Sequence, residues 1–274
     1  MFELEALARI AQKLRIEVLE AAHSAGSGHC GGSFSCAEML VCLYHGGFLK
    51  HRPEEPDWEE RDRFILSKGH AAPLLYALLA SCGFFPMEEM KKLRRFSSNL
   101  QGHPDMRKTP GVDMSTGSLG MGLSNAIGMA YAAKLKVSGR RVFVLLGDGE
   151  LDEGQIWEAA MLAPKLKLEN LFVLIDHNGV QLDGTTDEIL PLGNLSEKFK
   201  AFGWDTFSCD GHDCGELLET YGKICRVGKP AVVIAKTVKG KGVSFMEGNH
   251  RWHGKPVGES DFMKAKAELE RNLT

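Results

Sequence analysis

Arg141-Val142-Phe143-Val144-Leu145-Leu146-Gly147-Asp148-Gly149-Glu150 is the stretch on which the reading of this chain turns. Its apolar run shows no polar alternation, which predicts a strand covered on both faces, as in a parallel sheet. The glycines after it predict a sharp stop. Leu171-Phe172-Val173-Leu174-Ile175 and Ala231-Val232-Val233-Ile234-Ala235 read the same way, and Phe64-Ile65-Leu66 is a shorter strand candidate. Helical spacing falls between these runs, at about 153–163 and 213–227. Strands alternating with helices predict an α/β fold, a doubly wound and mostly parallel sheet with helices on both faces. Ligands in such sheets sit at the carboxyl ends of the strands. Function is therefore sought in the residues just beyond each strand.

Further out, residues 2–24 carry Leu4, Leu7, Ala8, Ala11, Leu14, Ile16 and Val18 at helical spacing among charges. The glycine-rich bend Gly26–Ser33 comes next, then a second helix from Ser35 to Tyr44. Ser67-Lys68-Gly69-His70 leads from the short strand into a helix reaching Leu79. The small-residue segment from Ser118 to about Lys136 reads as a buried helix, and 260–269 as a closing helix with Ser260 as its cap. No repeat or interdomain linker is apparent, so residues 1–274 are read as a single domain.

Composition narrows the partners. Lys plus Arg is 33 against 36 Asp plus Glu, a formal charge of −3, which offers no footprint for nucleic acid. The acidic start Met1-Phe2-Glu3-Leu4-Glu5 does not resemble a signal peptide, and no apolar run nears the ~18 residues of a membrane span. The 7 cysteines form no CxxC pair, an odd count that suits free thiols and a cytoplasmic location. Cys209, His212, Cys214 and Cys225 match no common zinc spacing.

After the first strand, Gly147-Asp148-Gly149 lets backbone approach a ligand and offers a hard carboxylate oxygen to a divalent cation. A helix starting near Glu153 favours an anion such as a phosphate at its N-terminus. After the next strand, Asp176-His177-Asn178-Gly179-Val180 supplies an amide oxygen and nearby backbone carbonyls. Gly-Asp-Gly or Asn-Gly alone is commonly a turn. Both at matching strand ends point to a Mg²⁺-diphosphate cradle, since Mg²⁺ takes part of its octahedron from protein and the rest from phosphate and water. The pattern is not completed as a dinucleotide GxGxxG fingerprint.

The Gly147-Asp148-Gly149…Asn178 arrangement is similar to the thiamine diphosphate motif, and the surrounding segments resemble transketolase. They are Ser27-Gly28-His29, Ser67-Lys68-Gly69-His70-Ala71, Gly102-His103-Pro104, Thr116-Gly117-Ser118-Leu119-Gly120, Gly147-Asp148-Gly149-Glu150 and Trp252-His253-Gly254-Lys255-Pro256, in order along the chain. The resemblance implies thiamine diphosphate bound through Mg²⁺, with Ca²⁺ or Mn²⁺ able to substitute, and metal ligands Asp148, Asn178 and the Val180 carbonyl. His70, Gly149 and His253 would hold the diphosphate, and Leu119 and Gly120 the aminopyrimidine side. Gly117, Gly147, Glu150 and Asn178 would complete the cofactor site. His29 and His103 would face the substrate, with His70 counted in the catalytic set and Glu153 at a subunit interface. The activity implied is transfer of a two-carbon ketol unit from a ketose phosphate to an aldose phosphate, as in the pentose phosphate pathway. Imidazoles titrating near neutral pH suit proton movement at the sugar oxygens. His23, His45, His51, His177 and His212 read as ordinary structural or surface histidines, and Lys68 and Arg107 as solvated surface, with phosphate binding the alternative for these two.

Three departures stand out. Cys30 succeeds the first histidine where the family usually has proline, which raises the prospect that it lines or crowds the sugar channel. Met121-Gly122 replaces Gln-Gly. The chain also ends at Thr274, just after the diphosphate-binding domain, whereas transketolases continue into pyrimidine-binding and C-terminal domains. The expectation is a split enzyme, a 2+2 heterotetramer with a C-terminal transketolase subunit that supplies the activating glutamate. Other readings are a 1-deoxyxylulose-5-phosphate synthase-like condensation and a non-catalytic thiamine diphosphate or partner-binding module.

Overall fold

A computed structural model describes residues 4–273. The helices in chain order are α1 (Leu4–Ala25), α2 (Cys30–Phe34), α3 (Ala37–Tyr44), α4 (Ala72–Ser81), α5 (Met121–Leu135), α6 (Gly154–Lys165), α7 (Thr186–Ile189), α8 (Leu195–Phe202), α9 (Cys214–Ile224) and α10 (Glu259–Arg271). The strands are β1 (Arg63–Leu66), β2 (Val142–Gly147), β3 (Leu171–His177), β4 (Asp205–Asp210) and β5 (Ala231–Lys236). They form one sheet in the order β1-β2-β3-β5-β4, every pair parallel.

Side-chain alternation divides each central strand between two cores. Phe64, Leu66, Phe143, Leu145, Phe172, Leu174 and Val233 join α1, α3, α4 and α9 on one face. Ile65, Val142, Val144, Leu146, Val173, Ile175 and Val232 join α5, α6 and α8 on the other. Burial of both faces is why these strands read as unbroken apolar runs.

β4 escaped the sequence reading for the opposite reason. It is an edge strand with mostly polar side chains, of which only Cys209 is buried, and acids stand at both ends. The short helices α7 and α8 were also missed, although both carry cap signals: Thr185 and Glu188 form a reciprocal capping box, and Asn194 accepts from the Glu197 amide. Three other expectations are corrected. α5 is not buried all round, because Met121, Asn125, Gly128, Tyr131 and Leu135 form an outward face. α10 begins at Glu259 after Gly258, and Ser260 lies inside it rather than capping it. The expected second helix starts at Ala37 as α3, and the glycine-rich bend before it carries the short helix α2. Residues 2 and 3 of the expected first helix lie outside the described residues. No helix among the described residues is long and apolar enough to cross a membrane.

Candidate functional site

The carboxyl ends of β1, β2, β3 and β5 converge on a pocket of about 130 Å³. β1 contributes Lys68 and His70; β2 contributes Gly147, Asp148, Gly149 and Glu150; the turn after β3 contributes Asn178, Val180, Gln181 and Leu182. Gly32, Leu119, Lys239 and His253 close it.

Beneath this pocket lies an ion pair that the sequence did not reveal. Asp176 is wholly buried at the end of β3 and accepts from Lys68 Nζ, from Ser35 Oγ at 2.6 Å and from Thr237 Oγ1. Lys68 Nζ also donates to the Gly32 carbonyl at 2.7 Å. Burial alone would raise the Asp176 carboxyl, but the Lys68 ammonium and the hydroxyls hold it below the usual range. Lys68 is thus an interior cation, not the solvated residue expected; Arg107 is exposed as expected.

Asp148 is buried, with Oδ1 accepting from the Gly149 amide at 2.9 Å and Oδ2 from the Gly179 amide at 2.5 Å. Burial and the neighbouring Asp176 charge push its carboxyl up to about 7. A buried carboxylate so disfavoured either takes up a proton or is balanced by a cation. Asn178 is oriented by accepting from the Val180 amide at 3.1 Å through Oδ1. Lys239 brings a positive charge to the place: its Nζ donates to the carbonyls of Val180 at 3.1 Å and Gln181 at 3.2 Å and faces His253 Nδ1 at 3.0 Å. Burial and Lys68 depress the Lys239 amine to about 8.

His29, His70 and His253 form a cluster with ring centroids 4.7 to 5.5 Å apart. Arg94 Nη2 stands 3.2 Å from His29 Nδ1, and Lys239 faces His253 Nδ1. Each cation makes the nearer ring nitrogen an acceptor and leaves Nε2 to carry the proton. Burial, then Arg94, lowers His29 to about 4; burial, then Lys239, lowers His253 to about 3; His70 falls well below its usual value by burial and Lys68. His103 is exposed but also lowered, by desolvation and Arg94. These imidazoles are neutral at physiological pH, which corrects the expectation that they titrate there. Arg94 was missed by the sequence reading. It reaches the cluster from a backbone φ of 59°, also bonding Ser27 Oγ at 2.6 Å and the Gly102 carbonyl at 3.2 Å.

Glu150 lines the pocket, yet its oxygens are taken by Ser67 Oγ, the Gly120 amide at 2.9 Å and the Gly147 amide at 3.1 Å. It braces three motifs together. Gly117 backs onto the His103 ring at φ 147°, and Gly120 turns at φ 83°, where a Cβ would stand 2.8 Å from Glu153 Cβ. Glu153 is exposed and precedes α6 without capping it. A 3-10 turn at Gly149–Asp152 separates β2 from α6, so the helix start expected at the ligand does not line the pocket. Cys30 is buried in the core, its thiol pushed up to about 12 by burial, and does not line the pocket. Among the described residues no cluster of three His, Cys, Asp or Glu forms a metal site: His212 instead bonds Glu38 and Cys225 bonds Arg141.

The family model for the transketolase thiamine diphosphate binding domain matches residues 7–272. The chain belongs to the transketolase family. A 6-deoxy-6-sulfo-D-fructose transketolase subunit from Clostridium sp. (strain MSTE9) is 45% identical over 270 residues, 98% of this chain and 97% of that one. An apulose-4-phosphate transketolase subunit from Phocaeicola vulgatus is 40% identical over 273 residues, covering 99% and 96%. Human transketolase is 41% identical over 256 residues, but this chain spans only 40% of its length. The transketolase structure from Campylobacter jejuni superposes with a TM-score of 0.92 at 34% identity, over 98% of this chain and 43% of that one. The parallel sheet is thus that of the transketolase thiamine diphosphate-binding fold.

Proposed function

We propose that this transketolase-family chain, residues 1–274, is one diphosphate-binding domain acting as one subunit of a two-chain enzyme. The enzyme transfers a two-carbon ketol unit between sugars that bear an anionic group, and a second chain carries the pyrimidine-binding and C-terminal domains. The observation that carries the reading is the pocket where β2 and β3 end, which gathers oxygen donors, two lysines and two neutral histidines.

The residues fit a diphosphate held through a divalent metal. Asp148 is a buried acid without a full counter-charge, and the Val180 carbonyl already accepts from a cation, the Lys239 ammonium. With the Asn178 amide they form the hard oxygen set Mg²⁺ takes, phosphate and water completing it. Lys68, Lys239, His70 and His253 offer positive charge and N–H donors to the diphosphate, and Leu119 offers apolar surface beside it. When bound, thiamine diphosphate supplies the nucleophilic and electron-accepting chemistry that breaks and makes the carbon–carbon bond. His29, whose Nε2 carries the proton, and His103 lie on the sugar side and hold substrate hydroxyls in place through neutral imidazoles. Glu153, exposed beside Gly120, fits a contact with the second chain.

Support for a partner comes from relatives of nearly the same length named as transketolase subunits. Their names carry a sulfonate sugar in one case and a sugar phosphate in the other, which favours an anionic sugar terminus over one fixed pentose phosphate. A 2+2 assembly in the cytoplasm completes the proposal. Replacing Asp148 with Ala should abolish metal-dependent thiamine diphosphate binding by the assembled enzyme in calorimetry. Unchanged affinity sinks the site assignment.

A further inference from the structure

His212 looks mundane in the sequence, a lone histidine in the turn after β4. Its surroundings are not mundane. The Val238 amide donates to His212 Nε2 at 2.9 Å, and His212 Nδ1 stands 2.9 Å from Glu38 Oε2. A backbone N–H can only donate, so Nε2 must be the bare acceptor and Nδ1 must carry the proton to Glu38. Glu38 is in turn clamped by Arg15, with Nη1 and Nη2 each 2.6 Å from one carboxylate oxygen. The side chains of Arg15, Glu38 and His212 are 3%, 8% and 13% exposed. The pair from α1 and α3 therefore fixes one tautomer of a histidine whose other face grips the chain just beyond β5.

That chain is the segment delivering Lys239. Thr237 is pinned through Asp176, Val238 through His212, and Gly240 through its amide to the Gly31 carbonyl at 3.0 Å. Between them Lys239 enters the pocket and reaches Val180, Gln181 and His253. Gly211 packs so closely on Thr237 that a Cβ there would overlap its methyl group, so the two turns lie in direct contact.

We propose that His212 is a positioning residue: its Nδ1–H tautomer, set by the Arg15–Glu38 pair, holds the Val238 amide and so aims Lys239 into the diphosphate pocket. The functional consequence rests on the reading of that pocket given above. The strut itself does not.

Two variants separate this role from simple support of the core. In His212→Gln the side-chain carbonyl reaches the Nε2 position and accepts from Val238, while the link to Glu38 is lost. In His212→Asn the amide NH₂ takes the Nδ1 position and keeps Glu38, while Val238 loses its acceptor. On the intact chain, amide hydrogen exchange reads Val238 and acylation by an amine-reactive ester reads Lys239. Titration of the enzyme assembled with its second chain, using thiamine diphosphate and Mg²⁺, reads the pocket. Loss of one part-buried hydrogen bond corresponds to roughly threefold to tenfold. His212→Asn should speed Val238 exchange and Lys239 labelling by that factor and weaken cofactor binding, whereas His212→Gln stays near wild type in all three. A mere core support predicts the reverse order, and that order overturns the proposal. So does His212→Asn with Val238 and Lys239 as protected as in wild type. If neither wild type nor variant binds cofactor while exchange and labelling keep the expected order, the strut stands and the pocket assignment fails.

Discussion

Asp176→Asn is the substitution for which the structure gives the sharpest expectation. The change is nearly isosteric, so packing stays intact and the effect is electrostatic. It leaves the Lys68 ammonium, 2% exposed, without the carboxylate that holds it. Removing one partner of a buried ion pair costs about 3–5 kcal/mol, because the survivor is an uncompensated charge. At ~2–4 °C per kcal/mol for a domain of this size, the melting temperature should fall by about 6–20 °C. Asp176→Asn/Lys68→Met removes both charges and should recover most of that loss, which a double-mutant cycle by thermal and urea unfolding measures directly. The variant should carry a pH signature as well. An unpaired buried lysine is pushed toward its neutral form, so the unfolded state binds more protons and Asp176→Asn should become more stable as pH rises. In the wild type Lys68 is instead raised: burial pushes it down, but Asp176 outweighs that, so this group gives no such gain. A melting temperature within about 2 °C of wild type, or a double variant no better than Asp176→Asn, refutes the claim that Asp176 compensates the buried Lys68 charge.

Other expectations are simpler. Glu38, raised by burial but lowered more by Arg15 and His212, sits at about 2 against 4.5 ordinarily. Its folded pKa is depressed, so its stabilisation of roughly 3 kcal/mol is present above pH 4.5 and lost as pH falls toward 2. Glu38→Gln should be less stable at pH 7 and show a flatter acid limb in unfolding titrations; an unchanged limb refutes the assignment. Gly122→Ala places a methyl group inside the Ser67 side chain and should cost about 1–3 kcal/mol, read as a lowered melting temperature. Glu150→Gln keeps the shape but offers one acceptor oxygen to three donors, so it should destabilise by about 1–3 kcal/mol and speed exchange of the Gly120 amide. Exchange at the wild-type rate would show that Glu150 does not brace that loop.

What the sequence by itself determined is the part written in local pattern. Unbroken apolar runs marked β2, β3 and β5, because a strand covered on both faces buries nearly every side chain. Gly147-Asp148-Gly149 and Asn178 marked the strand ends that line one pocket, because strand ends are where open sheets bind. β4 stayed hidden because an edge strand half in water carries no such run. Only the tertiary structure decided which charges are interior. Lys68 reads as surface until β1 is laid against β2 and its side chain meets Asp176 more than a hundred residues away. Likewise the bonds that occupy the Glu150 oxygens, and the burial and Arg94 charge that push His29 down, exist only in the packed chain. Arg94, Lys239 and His212 gain their meaning from crossings between distant segments. Protonation state and pairing depend on which groups share a dry volume, and only the packed chain fixes that.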